Sequence, residues 1–225
     1  MEGPTDFKAV AAQLANPTDQ TGIRIANNMN TSNGDMTRYA VDLLVCPPEA
    51  EVLEIGPGNG KFAPYVLSKG RGIRYTGVDR SATMVTEANR LNKVDIDSGH
   101  IRFEWTNGTT FPFADRSFHR IFTVNTLYFW EDPAIQLAEV RRLLKPGGIF
   151  CLAIASKAFM EQLPFTAHGF TLYTPDEARA LLLANGFDTA EMTIRHHATT
   201  GPGKQTLLRE EVFICASITG TQKNI

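Results

Sequence analysis

A short apolar run, Glu51-Val52-Leu53-Glu54-Ile55, passes directly into Gly56-Pro57-Gly58-Asn59-Gly60, and this junction constrains the fold more than any other part of the chain. A strand that ends in a side-chain-poor turn before a helix lets a ligand approach the main chain at the carboxyl edge of a sheet, a setting that suits nucleotides. The dinucleotide fingerprint G-x-G-x-x-G needs its third glycine where Lys61 stands, and the G-K-[ST] ending of a triphosphate-cradling loop is missing too. Nineteen residues past Gly60, at the end of the second predicted strand, stands Asp79. A carboxylate there accepts hydrogen bonds from both hydroxyls of a ribose, each contributing about 1.5–3 kcal/mol. A ligand with a ribose and no phosphate satisfies both features.

From Glu51 onward, short β-rich runs alternate with amphipathic helical ones, the pattern of a parallel α/β sheet. The expected strands are Glu51 to Gly56, Ile73 to Asp79, Ile101 to Trp105, Arg120 to Asn125 and Ile149 to Ala155. Helices are expected from Lys61 to about Ser68, from the cap Ser81 to about Asn92, and from Asp132-Pro133 to just before Lys145-Pro146-Gly147-Gly148. Another follows the capping box Thr174-Pro175-Asp176-Glu177 and stops at Gly186. Two extended runs, Glu191 to Ala198 and Arg209 to Ile218, flank Gly201-Pro202-Gly203 with no helix between them, so they pair as an antiparallel hairpin. Two segments stand outside the alternation. Residues 1–50 read as an N-terminal helical or lid segment before a domain over 51–225, and 156–173 read as a substrate-side insertion.

With 225 residues, 43% hydrophobic and 20% charged, the chain can bury a core without staples. The 22 Lys and Arg against 24 Asp and Glu leave a net charge of −2, so nucleic acid is disfavoured as a partner. No apolar stretch approaches the roughly 20 residues of a membrane span, and the first residues lack a secretory leader, so the expected location is cytoplasmic. Cys46, Cys151 and Cys215 are scattered, which points to no metal and no disulfide.

Four motifs now stand in order: Glu54-x-Gly56-x-Gly58-x-Gly60; Asp79; Phe111-Pro112-Phe113-x-Asp115-x-Ser117-Phe118; and Leu144-Lys145-Pro146-Gly147-Gly148. Together they resemble the class I S-adenosylmethionine-dependent methyltransferases, with the nearest likeness to the branch of the ubiquinone/menaquinone C-methyltransferases and related small-molecule enzymes. The resemblance covers about Glu51 to Ala155. It implies an α/β, Rossmann-like doubly wound seven-stranded sheet, mostly parallel, with a C-terminal antiparallel hairpin strand, and methyl transfer from S-adenosyl-L-methionine to a small-molecule acceptor. It further implies that Glu54, Gly56, Gly58 and Gly60 shape the pocket for the methionine half, that Asp79 holds the ribose, and that Arg80 and Met84 flank the adenine. Asn107 and Gly108 stand where the family usually has Asp-Ala, with an amide oxygen and a backbone N–H to offer the adenine. Asn125 would lie near the transferring methyl or the cofactor's amino group. His119 and Tyr128-Phe129-Trp130 depart from the Asp and His-His usual in that branch, which points to a different substrate.

No catalytic residue follows from the sequence. The sulfonium activates its own methyl, so positioning dominates and a base matters only when the nucleophile carries a proton. The candidates are Tyr39, Tyr128 and His168. Tyr39 and Arg38 open an amphipathic helix, Thr37 to Val45, that either folds over the cofactor or simply packs; His168 sits in the insertion, as a substrate-side base or a solvated loop histidine. His196 and His197 point to opposite faces of their strand. The run Asn27-Asn28-Met29-Asn30-Thr31-Ser32-Asn33-Gly34-Asp35 reads as turn and cap chemistry that orders when cofactor binds. Two other readings stay open: an NAD(P)-dependent oxidoreductase, and a non-catalytic S-adenosylmethionine binder on the same fold.

Overall fold

Three helices precede the first strand: α1 (Phe7–Ala15), α2 (Asp19–Ser32) and α3 (Gly34–Leu43). They belong to a computed structural model that describes residues 5–200 and 205–218. Then follow β1 (Glu51–Ile55), α4 (Ala63–Leu67), β2 (Arg74–Asp79), α5 (Ala82–Leu91), α6 (Lys93–Asp97), β3 (Ile101–Trp105) and β4 (Phe118–Val124). The second half runs α7 (Pro133–Leu143), β5 (Leu144–Ala155), α8 (Lys157–Met160), α9 (Pro175–Ala184), β6 (Thr189–Thr200) and β7 (Thr206–Ser217). The strands lie in the order β3-β2-β1-β4-β5-β7-β6, and only the pairings of β7, with β5 and β6, are antiparallel. The architecture is the expected one. Its strand order reverses between β1 and β4, and ligands of open α/β sheets bind in the crevice outside such a switch point.

Local chemistry sets most boundaries. Ser81 caps α5 by accepting from Met84 N at 3.1 Å, Asp132 caps α7 through Ala134 N at 3.0 Å, and Thr174 and Glu177 form the reciprocal box of α9. Along the strands the side chains alternate between two cores. Leu53, Ile121, Phe150, Leu152 and Ile154 face the side covered by α7 and α9, joined there by Leu137, Val140, Ala178 and Leu182. Val52, Phe122, Cys151, Ala153 and Phe213 face the other, with Met36, Ala40 and Val41 of α3 and Val66 of α4.

Several expectations need correction. The helix expected from Lys61 to Ser68 is only α4, because Gly60 still turns at φ +67 and Pro64 must sit in a helix's first turn. The fifth strand begins at Leu144 instead of Ile149, and the fourth at Phe118: Leu144 pairs with Phe118, and Lys145-Pro146-Gly147-Gly148 forms an irregularity within the ladder. The sixth strand starts two residues early, at Thr189. Most informatively, the Asn-rich run is not turn chemistry: α2 continues helically through Ser32 and breaks only at Asn33. The hairpin link at Gly201-Pro202-Gly203 lies outside the described residues.

Candidate functional site

A cavity of about 460 Å³ opens at the carboxyl edge of β1, β2 and β4, within the range of small-molecule sites. Its floor is the turn after β1. Gly56 lies at φ +74 and donates its N–H to Val78 O at 2.9 Å, and a Cβ there would collide with Thr126. Gly60 is also at positive φ, but a Cβ there would strike Phe103, and the residue does not line the cavity. It shapes the turn from behind. Gly58 lines the cavity and gives its N–H to Asp79 Oδ2 at 3.0 Å.

Two buried carboxylates stand along this floor. Asp79, 8% exposed, accepts from Gly58 and, through Oδ1, from Ser81 N at 2.9 Å. Burial pushes its carboxyl up to about 6, against the pull of those backbone donors. Glu54, 5% exposed, receives the Tyr75 hydroxyl at 2.5 Å. Burial raises it to about 7, opposed by that hydrogen bond and assisted by the charge of Asp79. Arg80, Met84 and Gly108 line the same end.

Asn107 departs from its expected place. It is exposed and does not line the cavity, because its Oδ1 accepts from Thr109 N and Thr110 N at 3.0 Å each, closing a local turn. The Gly108 N–H, expected to face the ligand, goes to Thr106 Oγ1 at 3.2 Å. Thr106, Phe111 and Gln136 line the wall instead, and Gln136 Oε1 is buried with no partner.

At the end of β4, Asn125 sits at φ +57. Its Oδ1 accepts from Ala155 N at 3.1 Å and lies 3.1 Å from the Tyr128 hydroxyl, which also lies 2.7 Å from Ala155 O. Tyr128 lines the cavity, and burial drives its phenol far above the ordinary range, so it acts as a neutral donor. The other two catalytic candidates are elsewhere. Tyr39 packs edge-on against Phe213 at 4.8 Å beneath the Arg195 guanidinium, and His168 is exposed; neither lines the cavity. Arg38 pairs with Asp35 on the surface.

The roof comes from both segments outside the alternation: Met29, Asn30 and Asn33 from the N-terminal helices, and Phe159, Met160 and Phe165 from the insertion. Asn59, in the glycine turn, donates to Asn27 Oδ1 at 2.9 Å and accepts from Asn30 Nδ2 at 3.0 Å, which fastens α2 over the floor. The Ser81 hydroxyl bonds Pro17 O, tying the start of α2 to the Asp79 end. Sequence reasoning missed one charged wall residue, Arg209 of β7, 5% exposed. The available signal was an Arg-Glu-Glu run in a strand whose remaining residues are mostly apolar.

Comparison with known proteins agrees with this geometry. Residues 53–152 match the methyltransferase domain family. The chain is similar to an O-methyltransferase, resE, of Aspergillus sclerotiorum, 27% identical over 125 residues, which is 56% of this chain and 47% of the relative. It thus spans about half that relative's length. Among solved structures, a putative methyltransferase in complex with the Haloferax volcanii Trm112 activator superposes with a TM-score of 0.71 at 20% identity, covering 97% of this chain and all of the other. A geranyl diphosphate methyltransferase in complex with S-adenosylmethionine gives 0.68 at 16%, covering 92% and 94%. Residues 53–152 thus resemble a methyltransferase domain, and the solved neighbours share the Rossmann-like sheet. In the geranyl diphosphate methyltransferase the ligand is S-adenosylmethionine. The donor set of this cavity fits that ligand: two carboxylates for hydroxyl or ammonium donors, side-chain-free backbone at Gly56 and Gly58, and an orphaned Gln136 oxygen.

Proposed function

We propose that this protein transfers the methyl group of S-adenosylmethionine to an oxygen atom of an apolar small molecule. The observation that carries the reading is one cavity joining the carboxylate-bearing floor to a wall of Phe129, Phe159, Met160, Phe165 and Phe170. The bound sulfonium supplies an activated methyl. Asp79 and Glu54 orient the donor from below, Asn125 and Tyr128 hold the boundary between the two halves, and the helical roof excludes water. The similarity to an O-methyltransferase supports oxygen as the acceptor atom. The motif resemblance to quinone C-methyltransferases makes carbon the alternative, and the proposal includes the cytoplasmic setting expected from sequence.

The test is release of S-adenosylhomocysteine across a panel of apolar acids, phenols and alcohols, with the methylated atom located by mass spectrometry and NMR. Turnover with an O-methyl product is expected. Tight cofactor binding with no turnover on any acceptor would leave a non-catalytic binder; a C-methyl product would move the protein to the quinone-like branch.

A further inference from the structure

Arg209 stands opposite Asp79 along the sheet edge. Glu211 pairs with Ala155, the last residue of β5, so Arg209 projects just beyond the carboxyl ends of the parallel strands. Between β2 and β7 lie β1, β4 and β5, which puts Arg209 about 19 Å from the Asp79 line at ordinary strand spacing. Asn125, immediately after β4, falls midway. The cavity half between Asn125 and Arg209 is the acceptor half, floored by Tyr128 and walled by Phe159 and Met160.

The guanidinium is only partly used. Nη1 donates to Ser32 O at 2.8 Å, and Nη2 to Asn33 Oδ1 at 2.9 Å and to Met36 Sδ at 3.1 Å, which leaves one Nη1 hydrogen unassigned. Nε makes no hydrogen bond: Glu211 Oε1 lies 3.4 Å away, outside bonding geometry, and both Glu211 oxygens are buried without a hydrogen-bond partner. A buried ion pair left this incompletely bonded is costly. Five titratable residues line the cavity among the described residues: Glu54, Asp79, Arg80, Tyr128 and Arg209. The first three belong to the cofactor end and Tyr128 is a neutral donor, so the acceptor half holds a fixed cation and no base.

We propose that the acceptor enters as an oxyanion on an apolar body, a carboxylate or an ionised phenol, and that Arg209 is the specificity-determining residue that selects the ionised form. The proposal rests on the methyl-transfer reading and narrows it. An anionic acceptor oxygen forms its bond to the methyl carbon while the carbon–sulfur bond breaks and its electron pair stays on sulfur. The negative charge of the acceptor and the positive charge of the sulfonium cancel, and no proton is released. A missing base is then no handicap.

Calorimetry tests this without turnover. Decanoate and the neutral decanamide are titrated into the wild-type protein saturated with S-adenosylhomocysteine, and 4-nitrophenol is titrated above and below its own pKa. One of the two anions is expected to bind about 10- to 100-fold tighter than its neutral counterpart, and which one does so separates carboxylate from phenolate. Arg209→Gln should erase that preference, and Glu211→Gln, which removes the competing carboxylate, should widen it. A merely structural Arg209 would weaken both ligands alike. If Arg209→Gln does not fold, the wild-type ratio and Glu211→Gln decide. Equal affinity of anion and neutral ligand in both pairs overturns the proposal. Anion preference without methyl transfer would overturn the functional reading and leave the anion site standing.

Discussion

The Gly58 N–H donates to Asp79 Oδ2 at 3.0 Å, so the turn after β1 and the acid after β2 form one hydrogen-bonded unit. Asp79 is therefore held in place before a ligand arrives, and its Oδ1 is held in the same way by Ser81 N. Preorganisation of this kind lowers the ordering cost of binding.

Asp79→Ala should weaken S-adenosylmethionine binding about 10- to 100-fold, the range expected when hydrogen bonds to a charged acceptor are lost. Calorimetric titration reads it directly. Undiminished affinity in the variant would remove Asp79 from the cofactor site.

The two raised carboxylates make stability depend on pH in a definite direction. Each binds its proton more tightly folded than unfolded, so the folded state holds more protons between the ordinary carboxylate range and about 6 for Asp79, or about 7 for Glu54. Stability without cofactor should be highest below that window and fall as pH rises through it. For Glu54 the loss is about 3 kcal/mol by pH 8. Denaturant midpoints at pH 5 and pH 8 test the sign, and Glu54→Gln should flatten the difference. Cofactor binding near pH 6 should release protons, visible as a buffer-dependent enthalpy.

Gly56→Ala should destabilise the protein by about 2–4 kcal/mol, combining the cost of positive φ for an alanine with a collision against Thr126. Thr126→Gly in the same chain removes the collision and not the φ cost. The double variant should therefore recover part of the loss in urea unfolding. Full recovery would mean that the backbone conformation at Gly56 costs an alanine nothing.

The turn and its acid are legible in sequence because each is a local consequence of where a strand ends. Asn27 and Asn30 are not, since amides favour turns by local propensity, and it is Asn59, in the distant glycine turn, that bonds them within a helix. Lys145-Pro146-Gly147-Gly148 reads as a helix stop for the same reason; only pairing of Leu144 with Phe118 shows that the strand has already begun. Strand periodicity places Arg209, Glu211 and Phe213 on one face, but the register against Ala155 decides that Arg209 reaches the cavity. Asn107 shows the converse. A residue aligned with a binding position by motif can spend its side chain on its own turn.

The roof should depend on Asn59. Asn59→Ala removes both of its bonds to α2, a loss of about 1–3 kcal/mol for two neutral hydrogen bonds. Hydrogen exchange should accelerate in α2 while the strands stay protected, and saturating cofactor should restore part of the protection. Unchanged exchange in α2 would show that its packing, not the amide ladder, holds it closed.

Tyr128→Phe separates positioning from acid–base work. The Tyr128 hydroxyl lies against Asn125 Oδ1 and Ala155 O, and burial raises its phenol far above the ordinary range, so at neutral pH it holds its proton and cannot take another group's. Loss of a general base typically lowers a rate by about 10²- to 10⁴-fold. Loss of a hydroxyl that only steadies Asn125 should lower kcat less than about tenfold, with the pH profile unchanged in shape. A hundredfold loss together with a vanished ionisation on the profile would make Tyr128 the base, and the acceptor would then arrive with its proton still attached.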